Sequence, residues 1–168
     1  MIIPQTRMPI QVFFNKAIGL FAPSINDAGS REKLANYDFM MASREGRQVN
    51  LKDFSGKVVL VNFWATWCPP CIAEMPSLQK LYDDYKGKVA FVLVTSDDEA
   101  TVVNFMEKNG YTMPFYFQRS LAPKEIRSSG IPATYLIDLN GEIVIDKVGA
   151  ANWNSDTVRA TIDMLLTQ

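Results

Sequence analysis

The chain has 168 residues, enough for one domain that buries a core without disulfide staples, and its 48% apolar and 21% charged content is that of an ordinary globular protein. With 17 basic and 18 acidic residues the net charge is −1, so charge gives no basis for binding nucleic acid or a membrane surface. Histidine is absent and only two cysteines exist, which excludes Ser–His and Cys–His catalytic pairs and leaves too few ligands for a zinc site.

Residues 1–33 read as a separate lead-in. The best apolar stretch there, residues 10–21, is short and interrupted, so it is neither a signal core nor a membrane span. It is expected to be an arm or short amphipathic helix packing on the domain, or a linker following an anchor upstream. Residues 36–42 and 48–51 read as short strands around the turn Arg44-Glu45-Gly46. Residues 57–63 are almost free of charge and rich in β-branched side chains, the pattern of a strand buried on both faces. A helix is predicted over 69–86, with a kink at Pro76 because the ring removes a hydrogen bond. Residues 89–95 repeat the buried-strand pattern. Ser96-Asp97-Asp98-Glu99 reads as a capping box opening a helix to about Lys108, ended by Gly110. A strand over 115–118 and a short helix over 123–128 follow. Residues 134–137 and 142–148 flank Asn140-Gly141, a strong hairpin signal, and a helix over 155–166 closes the chain. This order gives a mixed α/β sheet covered on both faces.

The chemistry concentrates at Cys68-Pro69-Pro70-Cys71, where a buried strand runs out and a helix begins. The first N–H groups of a helix are unpaired and carry partial positive charge. A thiolate placed there is stabilised, and its pKa falls below the free value of about 8.5. Cys68, at the helix start, is expected to be the exposed nucleophile. Cys71, one turn further in and within disulfide reach, is expected to be the more buried resolving thiol. Pro69 and Pro70 suit helix entry, where fixed φ helps and no donor is needed. An inert structural disulfide is the plainer alternative, disfavoured by the strand–CxxC–helix context.

The stretch from Phe63 to Pro76, with Trp64, Trp67 and the CPPC motif, resembles the active site of thioredoxin-fold proteins of the TlpA/ResA-like branch, within the redoxin/AhpC-TSA-like domain family. The leading strand 57–62, Pro76, Gly130-Ile131-Pro132-Ala133-Thr134 and the hairpin at 138–141 are also similar to that family. The resemblance covers about residues 36–167. It implies a thioredoxin-like domain over 34–168, with a central mixed sheet, helices on both faces, an extra βα insertion between Cys71 and Pro132, and an N-terminal extension. It further implies that Pro132 is cis and faces the disulfide, leaving the Ile131 backbone free to pair with an extended substrate. Trp67, Pro69 and Pro70 would complete the substrate surface, with Trp64 mainly packing and Trp153 structural.

Glu74 is the remaining candidate. It lies three residues after Cys71, near the same helix face. Partly buried, with a raised pKa, it could exchange the resolving thiol's proton, a role the family suggests. Thioredoxin itself uses a buried Asp on the preceding strand, where this chain has Asn62, which cannot titrate.

The resemblance implies reduction of protein disulfides by dithiol exchange, with no cofactor beyond the Cys68–Cys71 pair and no metal. It also implies an extracytoplasmic, periplasmic location, a tether through a segment absent from this chain, regeneration by a membrane thiol electron donor, and substrates such as apocytochrome c. Two other functions compete. A thiol peroxidase would place Thr three residues before its reactive Cys, whereas Thr66 is two before Cys68. A binding or chaperone-like module would keep its disulfide permanently closed.

Overall fold

The computed structural model describes residues 21–168, so the expected arm or helix over 10–21 lies almost wholly outside the described residues. Seven strands form one sheet: β1 (Met40–Ser43), β2 (Gln48–Asn50), β3 (Val59–Phe63), β4 (Ala90–Thr95), β5 (Phe115–Gln118), β6 (Ala133–Ile137) and β7 (Ile143–Val148). Their order is β2-β1-β5-β4-β3-β6-β7. The centre, β3–β4–β5, is parallel, and β1, β2, β6 and β7 join it antiparallel. The helices are α1 (Pro69–Tyr85), α2 (Glu99–Lys108) and α3 (Asp156–Leu165).

Alternation along the central strands builds two cores. Leu60, Leu93 and Leu136 point to one face, where Met75, Leu78 and Leu81 of α1, Val102 and Met106 of α2, and Val158, Ile162 and Leu165 of α3 pack on them. Val59, Val61, Val92, Val94, Tyr135 and Ile137 point to the other face. No α-helix contributes to that second core among the described residues. It is closed by two short 3-10 helices through Leu51 and Ile126, and by Leu34 and Phe39 of the leading segment. Residues 123–128, expected to be helical, form only the 3-10 turn Lys124–Ile126. The α2–β5 unit fills the interval where an extra βα element was expected.

The described part of the lead-in runs along the β6–β7 hairpin. Ile143 N–H donates to Glu32 O at 2.8 Å and Asn26 N–H to Val144 O at 2.8 Å. The hairpin turn is fixed by Asp138, whose Oδ1 accepts from the amides of Asn140 and Glu142 at 2.9 and 2.8 Å. Gly141 is favoured there by its φ of +85°, and a Cβ would also push against the Tyr37 hydroxyl, 2.7 Å away at the tip of a half-buried side chain.

The helix α1 runs through Pro76, as its predicted span over 69–86 requires. The Ser77 hydroxyl donates to Glu74 O at 2.8 Å and so supports this proline-interrupted turn. The cap of α2 is Asp98 rather than Ser96: Asp98 Oδ2 accepts from the Thr101 amide at 3.0 Å and its hydroxyl at 2.9 Å. The chain turns into the helix two residues later than the S-x-x-E pattern suggested, which leaves Asp97 for another task.

Candidate active site

The parallel strand β3 delivers its C-terminal end to the rim of the sheet, and the loop 64–67 leads directly into α1. Cys68 is the N-cap of that helix and Cys71 lies in its first turn. The two sulfurs are bonded, with the Cα atoms 5.3 Å apart. The Cys71 amide points at Cys68 Sγ at 3.3 Å. This is the contact through which a helix start stabilises a thiolate once the bond is reduced. The expected exposure of Cys68 is corrected: it is 3% exposed, against 0% for Cys71. Its sulfur is tied to Cys71 and lies 3.8 Å from the Ile131 carbonyl oxygen, so the neighbouring loop shields it.

That loop carries the cis peptide bond Ile131–Pro132 expected from the resemblance. Pro132 is buried and Ile131 half-buried, while Pro69 is exposed and Pro70 half-buried at the helix entrance. Trp67 is 71% exposed beside the disulfide, whereas Trp64 is buried in the α-helical core. A groove of about 310 Å³ opens beside the pair, walled by Trp67, Phe63, Val94, Leu121, Ile126 and Ile131. Leu121 is as exposed as Trp67, and nothing in its local sequence marks it as part of the site.

Behind the disulfide lies a buried polar cluster. Glu74 is 1% exposed, so it is not a solvated surface residue. Its Oε1 accepts from Asn62 Nδ2 at 2.8 Å. Its Oε2 accepts from Trp153 Nε1 at 2.8 Å and from the Ala151 amide at 3.2 Å. Asn62 Nδ2 also donates to Thr134 Oγ1 at 2.7 Å. Burial pushes the Glu74 carboxyl up to about 7, against the pull of these hydrogen bonds, led by that from Trp153. Asn62 thus occupies the strand position facing the acid and holds it, without titrating.

Two residues outside the expected set complete the site. Asp97 accepts from the Thr66 amide at 3.1 Å and from the Thr66 hydroxyl on the same oxygen, and these bonds hold its carboxyl below the usual range. It thereby ties the loop before Cys68 to the end of β4. Trp153, expected to be structural, is fully buried and contacts Glu74 through its indole N–H. No metal-binding cluster of His, Cys, Asp or Glu occurs among the described residues. Nor is any described helix long and apolar enough to cross a membrane.

The comparisons agree with this geometry. The Redoxin family model matches residues 22–163. The chain is 35% identical over 117 residues to the thiol-disulfide oxidoreductase ResA of Bacillus anthracis, covering 67% of this chain and 66% of that protein. It is 38% identical over 112 residues to ResA of Halalkalibacterium halodurans, covering 64% and 62%. The chain thus spans just under two thirds of the length of these curated relatives. A thiol:disulfide interchange protein of the thioredoxin family from Chlorobium tepidum superposes with a TM-score of 0.65 at 26% identity, covering 84% of this chain and 99% of that one. A secreted thiol-disulfide isomerase from Corynebacterium glutamicum gives 0.65 at 20% identity over 99% and 95%, a likeness of fold. With a match over most of its length, a mixed seven-stranded sheet and a CxxC pair at the start of α1, this thioredoxin-fold chain belongs to the Redoxin family.

Proposed function

We propose that the protein is a thiol–disulfide oxidoreductase that reduces disulfides in polypeptide substrates. The observation that carries this reading is the Cys68–Cys71 disulfide at the N-terminus of α1, with the Cys71 amide on Cys68 Sγ and an exposed apolar rim beside it. In the reduced enzyme, the Cys68 thiolate attacks one sulfur of the substrate disulfide. The S–S bond breaks, the leaving thiolate takes a proton from solvent, and a mixed disulfide forms. Cys71 then gives its proton to the Glu74 carboxylate, and its sulfur attacks Cys68. The second substrate thiolate leaves and is protonated in turn. The enzyme disulfide closes after two electrons and two protons have passed to the substrate.

The substrate chain lies extended along Ile131, next to the cis-proline loop. Among the described residues the Ile131 carbonyl accepts no backbone hydrogen bond, which leaves it open to a substrate amide. Trp67, Pro69 and Pro70 form the near rim and Pro132 backs the sulfur pair. Glu74 serves the resolving thiol, since its pKa of about 7 lets it take and return a proton near neutrality. The reducing direction, an extracytoplasmic location and recharging by a membrane thiol donor are the parts of this reading that rest on the resemblance of the Phe63–Pro76 stretch and the Ile131–Pro132 loop to the TlpA/ResA-like branch.

Insulin reduction in the presence of dithiothreitol, beside a glutathione redox titration of the pair, tests the proposal. Turnover that vanishes in Cys68→Ala, with a potential well below that of glutathione, is the expected result. A disulfide that resists reduction throughout, with no turnover, would leave a binding module instead.

A further inference from the structure

The segment after β7 closes over the site from an unexpected direction. Ala151 and Trp153 lie more than seventy residues beyond Glu74 in sequence, yet both donate to its Oε2. The same segment is pinned to the same helix turn a second time, by the Trp153 amide, which donates to Ser77 Oγ at 3.1 Å. The Ser77 hydroxyl donates in turn to Glu74 O. Trp153 is wholly buried, so water cannot replace its indole N–H as a partner for the carboxylate.

We propose that Trp153 is a positioning residue for disulfide exchange: its indole N–H, with the Ala151 amide, aims the Glu74 carboxylate and sets the pH at which it accepts the Cys71 proton. The proposal rests on the Glu74 role given above. Two hydrogen bonds to one oxygen favour the ionised acid, because a carboxylate accepts more strongly than a carboxylic acid does. They offset part of the burial that favours the neutral form. No described element packed against Glu74 brings a charged side chain to it. β3 supplies Asn62, β6 supplies Thr134, and the 149–153 segment supplies only the amide and the indole. On its own helix, Cys71 and the N-cap Cys68 precede it, and Lys80, Tyr82, Asp83, Asp84 and Tyr85 follow from six residues onward, none of them hydrogen-bonded to it. The indole is therefore the strongest single lever on this proton apart from burial itself.

The test follows the Glu74 carboxyl carbon and the Trp153 indole N–H by NMR across pH 5–9 in the oxidised protein. In the wild type, both resonances are expected to titrate with one midpoint, and the indole titration to vanish in Glu74→Gln. In Trp153→Phe, which keeps an aromatic ring in the cavity, the Glu74 midpoint is expected to rise by about one pH unit. From about 7, such a rise leaves roughly a tenth of Glu74 ionised at pH 7 rather than half, so resolution of a Cys68 mixed disulfide should slow about fivefold there and recover by pH 9. An indole that ignores pH, or a folded Trp153→Phe protein whose Glu74 midpoint stays put, overturns the proposal. Slowing by the same factor at every pH would also overturn it, as the mark of a merely structural role. If Trp153→Phe fails to fold, the wild-type indole titration still decides. If Glu74→Gln leaves the pH–rate profile unchanged while the resonances titrate together, the catalytic part of Glu74 fails and the coupling of Trp153 to it stands.

Discussion

Glu74→Gln should make the protein relatively more stable as pH rises. In the unfolded chain this carboxyl titrates near its ordinary value of 4.5, and in the folded protein burial lifts it to about 7. Between those values the folded state holds a proton that the unfolded state has released, so unfolding free energy falls with increasing pH. The favourable contribution of the neutral acid is complete below 4.5 and is lost once pH passes about 7. At about 1.4 kcal/mol per pH unit, the gap amounts to roughly 3 kcal/mol. Glutamine does not titrate, so Glu74→Gln escapes this loss, while every other ionisable group is common to both proteins and cancels in the comparison. Urea unfolding of the oxidised forms at half-unit steps from pH 4 to pH 8.5 measures the difference. The stability of Glu74→Gln relative to wild type should climb by about 3 kcal/mol across that range, with its midpoint between 4.5 and 7. A difference that stays flat within about 0.5 kcal/mol would refute the placement of Glu74 as a buried, proton-holding group.

Trp67→Ala removes an exposed ring from the rim of the site, so stability should change by less than about 0.5 kcal/mol. Steady-state kinetics with a protein disulfide should show KM raised several-fold while the redox potential of the pair is nearly unchanged. The cap of α2 gives a paired test. Asp98→Ala should cost about 1 kcal/mol in urea unfolding, and Ser96→Ala almost nothing, because Asp98 rather than Ser96 accepts from the helix amides.

Much of this molecule is legible in its sequence because the informative signals are local. Residues 57–63 and 89–95 are almost free of charge and rich in β-branched side chains, and they contain the adjacent parallel strands β3 and β4. Asn140-Gly141 marks the hairpin, and the CPPC pair sits where strand gives way to helix, so Cys68 and Cys71 are evident from spacing alone. Glu74 is recognisable from its distance to Cys71, although its full burial depends on Asn62, Thr134 and Trp153 arriving from three other segments.

What escaped the sequence is set by tertiary contact. The Ser96–Glu99 pattern satisfies the capping-box rule, but Asp97 is drawn away to Thr66, and the helix starts from Asp98 instead. Cys68 is less exposed than a helix start suggests because the Ile131–Pro132 loop closes against it from sixty residues away. Trp153 carries no local mark of its contact with Glu74. Only the fold of the last strand and helix brings its indole onto α1. The second core likewise depends on Leu34, Phe39 and Ile126, whose short irregular segments lack any periodic pattern.

The central claim is a division of labour in which Cys68 attacks and Cys71 resolves. It is tested most directly by incubating reduced Cys71→Ser and Cys68→Ser with a disulfide-containing peptide and weighing the products by intact mass spectrometry. Cys71→Ser should accumulate a stable one-to-one adduct mapped to Cys68, at a rate at least tenfold above that of Cys68→Ser. Equal rates for the two variants, or an adduct that forms faster on Cys71, would contradict the account.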